Sequence, residues 1–527
     1  MGDGTNRTHL RLAELVAALS LGVDLGFGQP MEHVLRQCLI ALRLAERVGL
    51  DEQRRADVYY TALLVNVGCH SDAHEQAKWF GDDIALKSGK YDHELGSVRG
   101  AAAGIRRLGS GNAGSHRFRV ALEFALSGHR EVADMINHHA AMTRALGEQL
   151  GLPESVLDAL GSAYETWDGH GWPGKLKGDE VPLAARLAQL AEFTEVAHRV
   201  GGVLGAKRLA RDRADKQFDP HLAELLCTDG DMILSGLDDV ATWAAVIDAE
   251  PALARVLSSE GFDAALLAIA NFVDLKSPYS LGHSRAVADL AAAAGVQLGL
   301  ADADQRSLRR AGLVHDFGRL GVSNAIWDKQ GPLGLGEWER VRLHPYLTER
   351  MLQQSAVLGP LAAIAVQHRE RLDGSGYPRG LSGVMISGPA RILGAADAYQ
   401  AMREPRPHRP ERSANEAAVE LRADVKGGRL DADAVEAVLG AAGHRVSRRR
   451  EGPAGLTARE VEVLRLLTRG LSNKEIANRL VISPKTAGNH IEHIYSKIDA
   501  STRAQASLFA MQHGLLPEDR FATGTGS

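Results

Sequence analysis

The chain has 527 residues, 61 Lys and Arg against 66 Asp and Glu, and a formal net charge of −5; that length predicts roughly three or four domains of soluble globular material. Three cysteines, Cys38, Cys69 and Cys227, stand far apart with no CxxC spacing, which argues against a disulfide framework or a thiolate zinc site and for a reducing compartment. The opening MGDGTNRTHLRLAELVAALSLG has no basic-then-apolar leader pattern, and no apolar run approaches the about 20 residues of a membrane helix, so the expectation is a cytoplasmic protein with no membrane partner.

Aromatics are only 5% of the residues. Ala, Leu and Arg are plentiful and runs of Val, Ile and Thr are scarce, a composition that favours helix. Along the chain, two stretches repeat each other. WDGHGWPGKLKGDEVPLAAR begins at Trp167 and LDGSGYPRGLSGVMISGPAR at Leu372, an offset of 205 that also relates Arg186 to Arg391 and Glu192 to Asp397. Upstream, His33 precedes Val65 by 32 residues and His283 precedes His315 by 32, an offset of 250. The first copy thus carries about 45 extra residues in its middle, and the expectation is two tandem helical domains, 1–240 and 241–443. Where the second copy has His315-Asp316, the first has Val65-Asn66. Valine cannot bind a metal, so the first copy is expected to serve packing, sensing or dimerisation. Its His138-His139 pair reads as a solvated polar helix face.

The second copy holds His283, His315, Asp316, His344, His368 and Asp397. A lone histidine is more often a structural residue than a ligand. As a set, imidazoles and carboxylates suit Fe, Mn, Zn or similar divalent ions, and helices can aim them into a bundle core from several sides. Two such ions would clamp a phosphodiester and generate hydroxide.

The strings SPYSLGHSRAVADLA, LVHDFGRLGVSNAIWDKQGPLGLGEWERVRLHP, HRERLDGSGYPRGLSG and ARILGAADAYQAM resemble the HD-GYP phosphohydrolases over about residues 262–443. The resemblance implies an all-helical HD fold, two or three metal ions, often iron or manganese, and phosphodiesterase activity on cyclic di-GMP. It assigns metal ligation to His283, His315, Asp316, His344, His368 and Asp397, with Asp316 bridging the ions and orienting water. Arg319, in place of the family's lysine, would meet phosphate beside Asp316 as a catalytic group. Gly376, Tyr377 and Pro378 match the GYP loop, and with Arg369, Arg406 and Arg409 they would bind substrate. The family has a histidine where Arg369 stands, an aspartate where Gln400 stands and a tyrosine where His408 stands. Arginine offers no lone pair. Either the site holds one ion or a weaker pair and Arg369 stabilises the phosphate's charge, or Arg369 replaces a cation and the domain binds a nucleotide without cutting it. The simpler HD set of His, His-Asp and Asp is supplied by His283, His315-Asp316 and Asp397. The first copy resembles degenerate N-terminal halves of two-copy HD proteins.

From Gly443 to Leu516 there are twelve Lys and Arg against six Asp and Glu, so a basic segment follows an acidic body and predicts an anionic partner. Residues 444–455 read as a basic linker, with Arg448, Arg449 and Arg450 placed to touch DNA backbone, and 517–527 as a disordered tail. In 456–516, Val461, Leu464 and Leu467 form a stripe and Gly470 ends a helix. Ser472 with Glu475 makes a capping box, and Ser483-Pro484 opens a third helix. Ala487, Ile491 and Ile494 would be its buried side. Lys485, Thr486, Asn489, His490 and His493 face outward; lysine and hydroxyl suit phosphates, and Asn and His reach base edges. LTAREVEVL, LSNKEIANRL and SPKTAGNHIEHIYSKI resemble the LuxR-type helix-turn-helix domain. That implies binding of double-stranded DNA through Ser472, Asn473, Lys474, Lys485, Thr486, Asn489 and His490, and a homodimer through the last helix, about 502–513.

The combined expectation is a transcription regulator whose body hydrolyses or senses a small phosphorylated ligand such as cyclic di-GMP, holding one or two Fe or Mn ions. The alternative is a catalytically inactive HD body that switches the DNA reader by ligand binding or dimerisation.

Overall fold

The computed structural model describes residues 10–92, 124, 129–251, 255–444, 453–480, 482–513 and 515. Among them there are helices and isolated bridges but no strand, so the fold is all-α. Arg448, Arg449, Arg450 and the 517–527 tail lie outside the described residues.

The chain divides into two compact units, 1–444 and 445–527; the boundary expected at 240 falls inside the first. One helix explains this. LAELVAALSLGVDLG, Leu12–Gly26, is apolar on nearly every face and buried almost throughout, the pattern of a helix surrounded by protein. It packs on His33–Val48 and Glu52–Leu64 of its own half. It also packs on the turn Phe317–Gly321 and the helix His344–Leu352 of the second half. Gly22 permits the close approach: a Cβ there would meet Met351 Cε at 2.6 Å and Leu320 Cδ1 at 2.8 Å. Arg11 and Val256 form an antiparallel bridge, with Leu12 N donating to Arg255 O (2.8 Å), so the start of the chain is stitched to the junction between the halves. A continuous core runs from Leu10 to Ala365, and a smaller one lies between the helices His283–Gln297, Gly388–Arg403, Ala414–Lys426 and Ala432–Ala441.

Corresponding residues of the two halves make the same local bonds. Val34 N donates to Asp24 (3.0 Å) as Ser284 N donates to Asp274 (2.9 Å). Gly68 N donates to the Thr143 hydroxyl and Gly318 N to the Thr348 hydroxyl, both at 2.9 Å. A Cβ on Gly68 would lie 2.1 Å from His139 O, and one on Gly318 2.0 Å from His344 O.

The C-terminal unit packs Ala458–Thr468, Asn473–Leu480, Pro484–Lys497 and Arg503–Gln512 around Leu464, Leu467, Ile476, Ala487, Ile491, Ile494 and Ala510. Capping boxes at Thr457-Glu460 and Thr502-Gln505 start the outer helices. Ser472 and Glu475 exchange the bonds of a third such box. The Ser483 hydroxyl accepts from Thr486 N (3.0 Å) to start the third helix, and Gly470 takes φ +87° at the turn. Each cap satisfies backbone N–H groups that would otherwise lack partners.

Candidate metal centre and substrate pocket

The centre is assembled from five segments of the second half. His283 opens the helix His283–Gln297, and His315-Asp316 follows Asp302–Val314. His344 opens His344–Leu352, His368 lies in the turn after Gly359–Ala365, and Asp397 lies mid-helix in Gly388–Arg403. All six side chains are buried.

Three of the four imidazoles are fixed by backbone. Nδ1 of His315, His344 and His368 donates to the carbonyls of Gly312 (2.7 Å), Val341 (2.6 Å) and Ala365 (2.7 Å). The proton is thereby committed to Nδ1 and the Nε2 lone pair points inward. Burial holds all three below the ordinary histidine range, His344 at about 4. They are neutral, as ligation requires. His283 differs. Burial pushes it down, but the carboxylates of Asp397 and Glu404 outweigh that and raise it to about 9; its Nδ1 donates to Glu404 at 2.9 and 3.1 Å.

The carboxylates sit between the rings. Asp316 Oδ2 lies 3.9 Å from His283 Nε2 and 3.7 Å from His315 Nε2, while its Oδ1 lies 3.5 Å from His344 Nε2 and 3.8 Å from His368 Nε2. Asp397 Oδ1 lies 3.3 Å from His283 Nε2 and 4.0 Å from His315 Nε2. The donors therefore form two groups, His283, His315 and Asp397, and His315, Asp316 and His368, with one Asp316 oxygen turned to each side. Burial pushes Asp316 up, but His315 and Arg319 outweigh it; burial pushes Asp397 up, but Arg369 outweighs it. Both end well below the usual carboxylate range.

A metal fits these residues. His283 Nε2, His315 Nε2, Asp316 Oδ1 and Asp397 Oδ2 are buried without a hydrogen-bond partner. His344 and His368 face each other Nε2 to Nε2 at 3.3 Å, with both ring protons committed elsewhere. Four orphaned polar atoms and two opposed lone pairs would cost several kcal/mol to bury uncompensated. A cation satisfies all of them.

A cavity of about 580 Å³ opens beside the centre, lined among others by Tyr279, Arg319, Trp327, Lys329, Trp338, Arg369, Tyr377 and Arg406, within the usual range for small-molecule sites. Arg319 donates to Asp316 (3.0 Å) and stacks over Trp327, 4.3 Å from the ring centroid. Arg369 donates to Asp397 Oδ1 (3.2 Å); burial pushes its guanidinium down, but the Asp397 carboxylate outweighs that and leaves it more basic than usual. Arg406 reaches Tyr279 O (3.0 Å) and Glu404 (2.9 Å), and burial lowers it to about 10. Arg409 lines the same cavity but gives its donors to backbone carbonyls, including Ala401 O at 2.6 Å. Tyr377 stands 6.0 Å from the His344 ring. Gly376 has no room for a side chain, since a Cβ would meet Arg371 N at 2.4 Å. Pro378 follows in the same half-buried turn.

Sequence reasoning passed over Glu404, which holds His283, and the aromatic wall of Tyr279, Trp327 and Trp338. Glu404 had a signal: it follows Asp397 by seven residues, two helical turns on the same face. Gln400 donates to it (2.9 Å). The pocket wall is also tied to the first half. His74 Nδ1 reaches Asp328 (2.8 Å), and Asp83 accepts from the Ser323 hydroxyl (2.7 Å) and Asn324 N (2.8 Å).

The His138-His139 reading needs correction. His138 is exposed, but His139 is buried at 5% exposure, with Nε2 2.5 Å from Asp72 and Nδ1 3.6 Å from Cys69 Sγ. Adjacent residues of a helix do not share a face, so packing can bury His139 while His138 stays exposed.

In the C-terminal unit Ser472, Asn473, Lys474, Lys485 and Asn489 are exposed, Thr486 and His490 half-buried. The Thr486 hydroxyl bonds that of Ser483 (2.7 Å). No helix among the described residues is long and apolar enough to cross a membrane.

Comparison with known proteins agrees with both units. Residues 129–222 and 268–434 match the HD domain family, and 454–510 match the luxR family of bacterial regulatory proteins. A Vibrio cholerae protein described as 3′3′-cGAMP-specific phosphodiesterase 3 is 33% identical over 405 residues, spanning 76% of this chain and 87% of its own. A crystal structure of a V. cholerae cyclic GMP-AMP specific phosphodiesterase superposes with a TM-score of 0.57 at 27% identity, covering 82% of this chain and 98% of that one. The response regulator protein VraR of Staphylococcus aureus is 41% identical over 73 residues, 14% of this chain and 35% of its own.

Proposed function

The chain belongs to the HD-domain family of metal-dependent phosphohydrolases and ends in a LuxR-type helix-turn-helix domain; from that premise we propose that it opens a cyclic dinucleotide in its second half and reads DNA with its C-terminal unit. The body is a duplicated HD unit in which only the second copy is catalytic. The observation that carries this reading is the set of inward-facing, orphaned ligand atoms of His283, His315, Asp316 and Asp397, with the Nε2 atoms of His344 and His368 opposed beside them.

Those six residues would hold one or two divalent ions, iron or manganese being the first to test, and Asp316 would share its two oxygens between the two donor groups. A divalent ion bound there supplies Lewis-acid charge and a water of lowered pKa. The protein's own groups do the rest. Arg319 and Arg369 face the cavity and offer guanidinium N–H groups to the phosphodiester, where charge grows in the transition state. Trp327, Trp338 and Tyr279 form an apolar wall suited to nucleobases. The reaction adds water to phosphorus and breaks one P–O bond of the ring, giving a linear dinucleotide. The Vibrio cholerae relative matched over 405 residues is described as specific for 3′3′-cGAMP, so that substrate is favoured over cyclic di-GMP.

Lys485, Thr486, Asn489 and His490 would enter the major groove, with Ser472, Asn473 and Lys474 at the backbone. Leu508 and Met511, 49% and 59% exposed on Arg503–Gln512, would meet a second copy in a homodimer. Two assays test the proposal. The purified chain with iron or manganese should convert 3′3′-cGAMP, and more slowly cyclic di-GMP, to linear product. Lys485→Ala with His490→Ala should lose promoter DNA while keeping hydrolysis. Absence of turnover on both dinucleotides would leave the body a binding switch, and unchanged DNA retention would remove the reader.

A further inference from the structure

In the first half the residues that correspond to metal ligands surround a lysine. Asn66 stands where Asp316 stands, Glu192 where Asp397 stands and His33 where His283 stands, by the sequence offsets and the shared local bonds given above. Between Asn66 and His139 lie about 45 more residues than between Asp316 and His344. That stretch includes the helix Asp83–Ser88 and the turn Gly89–Asp92. The turn brings Lys90 inward.

Lys90 Nζ donates to Asn66 Oδ1 (3.0 Å) and Glu192 Oε1 (2.7 Å). Asn66 Nδ2 donates to the same Glu192 oxygen (2.9 Å), and so does the Tyr91 hydroxyl (3.0 Å), which also lies 3.3 Å from His33 Nε2. His33 Nδ1 pairs with Glu195. Four rings enclose the ammonium, those of Phe27, Tyr91, Tyr164 and Phe193, with centroids 5.5–5.9 Å from Nζ. That is cation–π distance. Glu192 is 2% exposed; without a partner its charge would be costly to bury. The contrast with the second half is in the polar atoms. There, four ligand atoms lack partners; here, none of the side-chain N and O atoms of His33, Asn66, Lys90 and Glu192 is orphaned.

We propose that Lys90 is the resident cation of the first half: a tethered primary ammonium fills the place that metal takes in the second half. The site is specific for ammonium chemistry, with a carboxylate and an amide oxygen as acceptors and an aromatic wall in place of imidazole lone pairs. It is already filled, so the first half takes up neither metal nor phosphorylated ligand at this position. The inference does not depend on the reaction assigned to the second half.

Thermal unfolding of the full chain tests it. Lys90→Met keeps the side-chain volume and removes the charge, and should lower the melting transition by about 5 °C or more. Adding Glu192→Gln should recover at least about half of that loss, because the stranded charge is gone. Lys90→Ala should be stabilised by ethylammonium chloride more than by sodium chloride, and more than the unaltered protein is. A Lys90→Met protein that melts with the unaltered one, a double variant no better than the single, or equal effects of the two salts would each overturn the proposal. If Lys90→Met is insoluble, the double variant decides: soluble protein supports the resident cation, and insoluble protein overturns it.

Discussion

The two halves of the body solve one electrostatic problem in opposite ways. Each brings a histidine at a helix start, a side chain after the second long helix and a carboxylate from the long C-terminal helix to one point. In the second half the point is lined by His315, Asp316 and Asp397, whose orphaned atoms call for a cation from outside. In the first half Val65, Asn66 and Glu192 leave less charge and no imidazole at the middle position, and Lys90 supplies the cation from within. A few substitutions thus separate a centre that must be loaded from one that folds complete. The orphaned centre has a cavity beside it, consistent with perturbed polar groups gathering where chemistry occurs.

The comparison can be broken or sharpened at matched positions. The largest effect is expected at Asp316. Asp316→Ala should reduce dinucleotide hydrolysis by about 10³-fold or more, whereas Asn66→Ala at the matching position should lower thermal stability and leave kcat within about threefold. Steady-state kinetics on both variants checks this, and equal loss of turnover would remove the asymmetry. Next is the pair that orients the first histidine of each half. Glu404→Gln should weaken metal binding by about 10–100-fold, the usual effect of losing a carboxylate behind a ligating imidazole. Glu195→Gln, which removes a carboxylate paired with His33 and Arg199, should leave metal affinity unchanged in a competition titration. Arg369 comes third, opposite Tyr164. Arg369→His should lower kcat by about tenfold or more if the guanidinium serves the phosphate. A rise in turnover together with metal content would instead show that arginine displaced a ligand. The smallest effect is at the seam. His74 is held above the ordinary histidine value, first by its bond to Asp328 and with Glu75 adding to it, against partial burial and Lys78. A raised folded-state value gives stability that is full below the unfolded value of about 6.5 and lost as pH rises through the folded one. His74→Gln should therefore melt below the unaltered protein at about pH 6 and together with it at about pH 9.

Much of this was legible in the sequence, for identifiable reasons. Helix starts in the C-terminal unit could be read because Ser472-Glu475 and Ser483-Pro484 act within one turn. The six ligand residues could be gathered because the repeat offsets and the resemblance place them by position. Glu404, His139 and Lys90 were not gathered. Their roles depend on contacts across the fold: Glu404 with His283 over 121 residues, His139 with Cys69 over 70, and Lys90 with Glu192 over 102. Nothing in local periodicity encodes those meetings. The union of both halves in one unit was likewise hidden. The sign was a helix, Leu12–Gly26, apolar on faces that its own half could not cover.

The most direct test is metal content per chain, by elemental analysis of protein purified without oxygen and supplied with iron and manganese, beside Asp316→Ala and Asn66→Ala. The account predicts near-stoichiometric metal in the unaltered chain, its loss in Asp316→Ala and its retention in Asn66→Ala. Metal-free unaltered protein, or equal loss in both variants, would contradict it.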